Sequence, residues 1–278
     1  MLKGIDVSKH QGKIDWQKVA KAGIDFVMIR AGYGKYKAQE DNQFKANITG
    51  AFSAGLPIGI YWYSYATSSA DAAEEAKVCL SIIEPYKDKI RLPVFFDQEY
   101  EQGIKAASKE VRTACCNTFI SAIQKAGYES GLYCSYDWIT NMVDEVKGYK
   151  WIAQYASQCR YSRSKLWAWQ YSSSGTVDGI SGRVDLDAGY FEITQPKDGW
   201  SKTSNAWYYY ESGKAVKSAW RQIKGTNGTH WYYFGSTGQM LTGFQAINSK
   251  LYFLNPSAAE GIPEGALIIT DSKGNIVK

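Results

Sequence analysis

The 278-residue chain contains only two histidines, His10 and His230. A three-histidine zinc centre is therefore excluded, and a serine or cysteine triad would have to use one of these two. His10 falls just past the first predicted strand, whereas His230 falls in a repeat turn and is expected to be exposed. The five cysteines (Cys79, Cys115, Cys116, Cys134 and Cys159) form an odd set without a CxxC pair. They are expected to be free, buried thiols rather than a disulfide framework or a metal site. No run of Lys and Arg marks a nucleic-acid surface, and Gly32 and Gly34 open no helix of the kind that cradles phosphates. No apolar run is long enough to span a bilayer. Nor does a secretory leader precede the first apolar segment, because Met1-Leu2-Lys3 runs straight into Gly4-Ile5-Asp6-Val7.

Aromatic residues are abundant, with 10 Trp and 21 Tyr. Hydrophobic and charged fractions of 45% and 21% are those of a globular protein. A prior of roughly 150 residues per domain allows about two domains. Most of the +5 net charge lies beyond residue 199, where eight Lys/Arg face four Asp/Glu. That segment should prefer an anionic partner.

Up to about residue 195, short β-rich apolar runs alternate with amphipathic stretches, the pattern of βα units around a parallel sheet. Strands are predicted over 4–8, 26–31, 58–65, 92–97, 131–135, 151–155, 166–171 and 183–186, enough to close a barrel. Helices are predicted near 16–22, 42–54, 70–84, 108–126 and 137–146. Too few periodic residues separate the last three strands for full crossover helices, so the closing part should be irregular or antiparallel. The pattern stops in a polar Pro/Gly segment, giving a domain over 1–195, a linker over 196–199 and a second domain over 200–278. There Trp207-Tyr208-Tyr209-Tyr210 recurs as Trp231-Tyr232-Tyr233-Phe234 and, degenerately, as Leu251-Tyr252-Phe253-Leu254. Repeats of about 20 residues with Gly turns imply stacked hairpins, each burying a face only against its neighbours. The apolar segment 266–270 is expected to cap the stack.

The predicted strand 92–97 ends in Asp97-Gln98-Glu99, and alternation puts both acids on one face, about 6–7 Å apart. At the carboxyl end of a barrel strand that face looks into the mouth. One acid can then stay protonated because the other is charged, which is what general-acid cleavage of a glycosidic bond requires. Asp6 on the first strand, and Asp185 and Asp187 on the eighth, bring further acids to the same mouth. Carboxylates also suit Mg²⁺ or Ca²⁺, but no spaced ligand loop accompanies them, and no metal or cofactor is expected. Tyr61, Tyr63, Tyr133 and Trp169 concentrate at strand ends, beside the amides Gln154 and Gln170. Aromatic planes flanked by amide donors are how a cleft would hold sugar rings.

In these motifs residues 1–195 resemble the family 25 glycoside hydrolases, lysozymes of the N-acetylmuramidase type. The matching features are Gly4-Ile5-Asp6-Val7-Ser8 with His10-Gln11-Gly12, Gly59-Ile60-Tyr61, Asp97-x-Glu99, Trp169-Gln170-Tyr171 and Val184-Asp185-Leu186. The resemblance implies an α/β fold, a flattened (βα)5β3 barrel, followed here by a small all-β domain of hairpin repeats. It makes Glu99 the proton donor, Asp97 its partner, and Asp6 and Asp185 flanking acids. Tyr61, Tyr63, Tyr133, Gln154, Trp169, Gln170 and Asp187 are then expected to contact the sugar. The attacking group stays open among retaining, inverting and acetamido-assisted routes, since the spacing falls between the retaining and inverting values. Residues 200–255 resemble choline- or cell-wall-binding repeats, in which aromatic cages hold quaternary ammonium. Trp200 with Trp207, and Trp220 with Trp231 and Tyr233, are the expected cages, although Ala219 and Phe244 depart from the family pattern.

The implied function is cleavage of the β-1,4 bond between N-acetylmuramic acid and N-acetylglucosamine by a peptidoglycan hydrolase held on the bacterial wall. Choline, teichoic acid or another wall polymer would be the repeats' ligand. The expected setting is a phage lysin released from the host cytoplasm, or a secreted mature enzyme. An inactive wall-binding lectin and a chitin-cleaving glycosidase are the alternatives.

Overall fold

In the computed structural model the eight predicted strands close into a barrel in chain order. The structure describes residues 1–193, 198–203, 206–211, 213–259 and 261–269. The barrel strands are β1 (Leu2–Val7), β2 (Phe26–Tyr33), β3 (Ile58–Tyr63), β4 (Ile90–Asp97), β5 (Ser130–Ser135), β6 (Tyr149–Ala153), β7 (Ala168–Gly175) and β8 (Val184–Gly189). Strands β1 to β7 pair in parallel, whereas β8 runs antiparallel to both of its neighbours. The short connection from β7 to β8 fits this reversal, because a parallel pair needs a longer crossover.

Four crossovers carry helices: α1 (Trp16–Lys21), α2 (Phe44–Ala54), α3 (Ser69–Ile83) and, after β4, α4 (Gln102–Ala106) with α5 (Lys109–Lys125). Asp15, Ser68 and Ser108 cap α1, α3 and α5 by accepting from backbone N–H groups three residues on. The predicted helix at 137–146 is not formed. Only a single wide turn, Trp138–Met142, is present. The chain beyond it is extended at Val143 and fastens onto the α5 surface, where Thr113 Oγ1 accepts from Asp144 N and Asn117 Oδ1 from Lys147 N. These side-chain bonds satisfy the backbone in place of a helical ladder.

Inside the barrel, Phe26, Met28, Phe95, Trp151 and Trp167 form an apolar, mostly aromatic plug, while the outward strand faces pack on the helices. Four of the five cysteines are buried free thiols and Cys159 is half-buried. At Gly131 there is no room for a side chain. A Cβ there would lie 2.3 Å from the backbone oxygen of its β6 partner Tyr149 and 2.8 Å from the Phe95 ring.

A second unit begins at Thr194. The expected linker over 196–199 lies outside the described residues at 196 and 197, and Gly199 already belongs to a strand. The hairpins are β9 (Gly199–Thr203) with β10 (Ala206–Glu211), β12 (Ala219–Gly225) with β13 (Gly228–Phe234), and β14 (Gly243–Ile247) with β15 (Lys250–Leu254). A two-residue strand, β11 (Lys214–Ala215), edges the first. Each aromatic repeat motif thus forms the second strand of a hairpin. Gly213 and Gly238 follow with φ of 71° and 87°, a left-handed backbone that favours glycine. Segment 266–268 lies along the last strands, with Leu267 N bonded to Trp231 O and Ile268 N to Phe253 O. His230, expected to be exposed, is buried instead, because it sits on the inward face of β13 with its Nε2 3.1 Å from Asn227 O.

Gly131→Ala should destabilise the barrel by about 1–3 kcal/mol, the cost of overpacking against atoms that cannot yield. Urea unfolding followed by tryptophan fluorescence measures this; a variant as stable as the parent would show that β5 and β6 are not paired in this register.

Candidate active site

The pleat at the end of β4 sorts its side chains. Asp97 and Glu99 turn into the barrel mouth. Gln98 points outward and is fully buried, its Oε1 accepting from Trp138 Nε1 at 3.0 Å and its Nε2 donating to Arg112 O at 3.3 Å. On either side, Ser64 N donates to Asp97 O and Gln98 N donates to Tyr133 O. The two acids are therefore mounted on backbone fixed from both neighbouring strands.

The mouth holds a cavity of about 250 Å³. Its walls include Asp6, Asp97, Glu99 and Asp185, together with Tyr61, Tyr63, Tyr133 and Gln170. Because β8 is reversed, Asp185 stands at its start and pairs directly with Asp6 on β1. Gln170 ties the wall together: Nε2 donates to Asp6 Oδ2 at 2.8 Å, and Oε1 accepts from the hydroxyls of Tyr133 at 3.0 Å and Tyr155 at 2.9 Å.

Three expected residues stand elsewhere. Asp187 is fully buried behind the wall, where Oδ1 accepts from Trp151 Nε1 at 2.8 Å. Trp169 donates through Nε1 to Gln154 O, and Gln154 Oε1 accepts from Arg160 N, so these two brace the segment after β6 rather than line the cavity.

Arg30, Tyr155, His10 and Gln11 also line the cavity, and Glu101 stands just behind it. The Tyr63 hydroxyl donates to Glu101 Oε1 at 2.6 Å. Arg30 is legible as the one charge in the apolar run of β2, and Glu101 extends the spacing of Asp97 and Glu99 by one further step. Arg30 is already committed to Asp41, with Nε 2.8 Å from Oδ2.

Carboxylates therefore outnumber free cations, and burial acts on all of them. Burial first, then the charges of Asp187 and Asp185, holds the Asp6 carboxyl well above the usual carboxylate range. Burial and the neighbouring Glu99 do the same for Asp97, partly offset by Arg30. Glu99 is raised by burial, then by Glu101 and Asp185, and lowered by hydrogen bonding to Tyr133. Burial also raises Asp185 and pushes Asp187 up to about 8. A carboxyl raised in this way holds its proton at a pH where an ordinary one has lost it, and can deliver it.

The second unit gathers aromatic rings in two places. Trp200 stands edge-on to Trp207, with centroids 6.0 Å apart, and to Tyr232 at 4.8 Å. These rings line a cavity of about 640 Å³ with Met240, Ile262 and Glu264. Lys202 Nζ lies 5.2 Å from the Trp207 ring centroid, a cation on an aromatic face. Trp220 packs against Tyr233 at 5.2 Å and Tyr252 at 4.9 Å. Trp231 is not its ring partner, because the hairpin register sets Trp231 opposite Gln222 and Tyr233 opposite Trp220.

Burial gives a pH dependence to stability. Asp187 holds its proton when folded up to about pH 8, against 3.8 for an ordinary Asp. Between these values the folded chain binds more protons than the unfolded one, so stability is greatest at the acid end and falls as pH rises. Urea midpoints should accordingly be lower at about pH 8 than at about pH 5, and Asp187→Asn, which keeps the acceptor for Trp151, should flatten part of that fall. An unchanged pH dependence in the variant would mean that Asp187 is ionised in the folded state.

Comparison with known proteins places this geometry. The autolytic lysozyme of Clostridium acetobutylicum is 30% identical over 188 residues, covering 67% of this chain and 55% of that protein. Lysozyme M1 of Streptomyces globisporus is 30% identical over 199 residues, covering 66% of each. The modular autolysin LytC of Streptococcus pneumoniae superposes with a TM-score of 0.61 at 30% identity, over 68% of this chain and 46% of LytC, and has also been solved with a synthetic peptidoglycan ligand. The matches thus span about half to two thirds of these relatives' lengths. Residues 218–240 match a putative cell wall binding repeat. Residues 5–180 match glycosyl hydrolases family 25, and the chain belongs to that family.

Proposed function

We propose that the chain is a peptidoglycan hydrolase that cuts the β-1,4 bond between N-acetylmuramic acid and N-acetylglucosamine, and that its repeats hold it on the bacterial wall. The observation that carries this reading is the cavity itself: Glu99 and Asp97 share it with Asp6 and Asp185, and its one guanidinium is paired with Asp41. Membership of the family and the LytC complex with a peptidoglycan ligand support the substrate class.

Glu99 is the general acid. Its raised pKa leaves it protonated where an ordinary carboxyl would be ionised, and only half-buried, it can reach a bound sugar. It gives its proton to the glycosidic oxygen as the bond to the anomeric carbon breaks. Positive charge building on that carbon favours the ionised form of Asp97, which stabilises it. Asp6, held by Gln170, and Asp185 flank this pair across the mouth, and water completes the hydrolysis. Tyr61, Tyr63 and Tyr133 offer ring faces and hydroxyls to the sugar, while Gln154, Trp169 and Asp187 support the wall from outside the cavity.

Glu99→Gln should keep the fold and wall binding but lower hydrolysis by at least ~100-fold, since an amide cannot supply the proton. The assay is the clearing of wall suspensions, with chitin as the parallel substrate. Retention of more than about a tenth of wild-type turnover would remove Glu99 as the acid. A wild-type protein that clears no walls would be a lectin, and one that releases soluble products only from chitin would be a chitinase.

The cavity at Trp200, Trp207 and Tyr232 suits a quaternary ammonium group such as choline on a wall polymer, and the rings of Trp220, Tyr233 and Tyr252 offer a second aromatic cluster for one. Single cation–π contacts of about 0.5–2 kcal/mol make each site weak, so attachment needs both. Trp207→Ala should weaken binding to intact walls, and millimolar choline should release the parent protein from choline-bearing walls. If choline has no effect while Trp207→Ala still weakens attachment, the ligand is a different polymer, such as an anionic teichoic acid drawn by the basic repeat segment.

A further inference from the structure

Glu101 opens α4 at the N-cap position, yet its side chain makes no capping bond. The carboxylate turns back toward the cavity instead and accepts the Tyr63 hydroxyl at 2.6 Å. Its backbone turns back as well, since Glu101 N donates to Glu99 O at 2.9 Å, which closes residues 99–101 into a tight turn. Tyr63 ends β3, lines the cavity beside Glu99 and pairs with Asp97. Among the described residues no ion pair neutralises Glu101. An anion is thus built into the wall behind the acid and fixed by a neutral donor, which adds no opposing charge.

We propose that Glu101 is a positioning residue whose carboxylate, anchored by Tyr63, acts on Glu99 as a fixed negative charge and keeps the proton on it at the pH where the glycan is cut. This rests on the reading of Glu99 as the acid. A like charge nearby disfavours ionisation of its neighbour. Glu101 follows only burial among the causes that raise Glu99, ahead of Asp185. The other groups facing Glu99 are Asp97 at the end of β4, Tyr63 from β3, Tyr155 after β6, and Tyr133 from β5, whose hydrogen bond opposes the rise. Arg30 from β2 acts on Asp97. Glu101 itself is not among the residues that line the cavity and is held there by Tyr63, so it exerts its effect without occupying space needed by the sugar.

The test is the pH profile of kcat/KM for the full chain on a soluble muropeptide glycan. The profile falls on its alkaline side as Glu99 loses its proton in the free enzyme. In Glu101→Gln that limb should move to lower pH: activity on the limb drops by about threefold or more, half a pH unit's worth, while activity on the acid side stays within about twofold of wild type. Glu101→Asp, which keeps the charge, should restore much of the limb. Tyr63→Phe should move it in the same direction as Glu101→Gln, and the double variant no further than Glu101→Gln alone, because the two act as one unit. Raising the salt concentration should narrow the gap between wild type and Glu101→Gln, since a half-exposed charge is screened. A limb that stays in place, or a uniform loss at every pH in both Glu101→Gln and Glu101→Asp, overturns the proposal and leaves Glu101 as a brace for Tyr63. Failure of the underlying reading would show separately, as retained turnover in Glu99→Gln.

Discussion

A buried carboxylate with no cation beside it is costly to ionise, and this barrel gathers several at one mouth. Asp6, Asp97 and Asp187 are buried, and Glu99 and Asp185 are half-buried. The one guanidinium among the cavity walls is bound to Asp41. The molecule meets this constraint by keeping protons. A site that retains protons where isolated carboxyls lose them is also a site that can donate one, so the electrostatic cost of burial equips the fold for acid chemistry. Asp97 Oδ1 is buried without a hydrogen-bond partner, so a charge placed on it would go unsolvated.

The fold's task is to hold these groups together against their repulsion. Closure of the barrel does most of this, because β1 and β8 set Asp6 and Asp185 opposite each other while β4 presents Asp97 and Glu99 from farther round the ring. Neutral hydrogen-bonding side chains complete the arrangement. Gln170 joins Asp6 to Tyr133 and Tyr155, and Gln98 locks the end of β4 from outside through Trp138 and Arg112. Amides suit this work because they satisfy carboxylates and hydroxyls without adding a charge that would draw the protons away.

Much of this was legible in the sequence, for reasons that can be named. Each barrel strand is an apolar β-rich run, and the two-residue period of a strand announces Asp97 and Glu99 as one face and Gln98 as the other. The same period groups Asp185 with Asp187, but it says nothing of depth. Asp187 lies one pleat further in, behind Trp151, and so is kept from the cavity. The missing crossover helices mark the closing part of the barrel as irregular or antiparallel but do not say which strand turns round; it is β8, while β7 stays parallel to β6. The helix expected at 137–146 failed because α5 offers that segment better partners in Thr113 and Asn117 than a helical ladder would. In the repeats the aromatic motifs located the hairpins. The ring partners of Trp220 depend on strand register, which sequence spacing does not encode.

The central claim, that the cluster keeps protons which isolated carboxyls would lose, is open to direct observation. Carbon-13 labelling of the Asp and Glu side chains, followed by an NMR titration of the carboxyl resonances, reads each group separately. Glu99 should titrate above the ordinary glutamate value of 4.5, and Asp187 near 8. The account would be contradicted if both ionised at their ordinary values, with the fold intact, leaving the mouth fully charged at neutral pH.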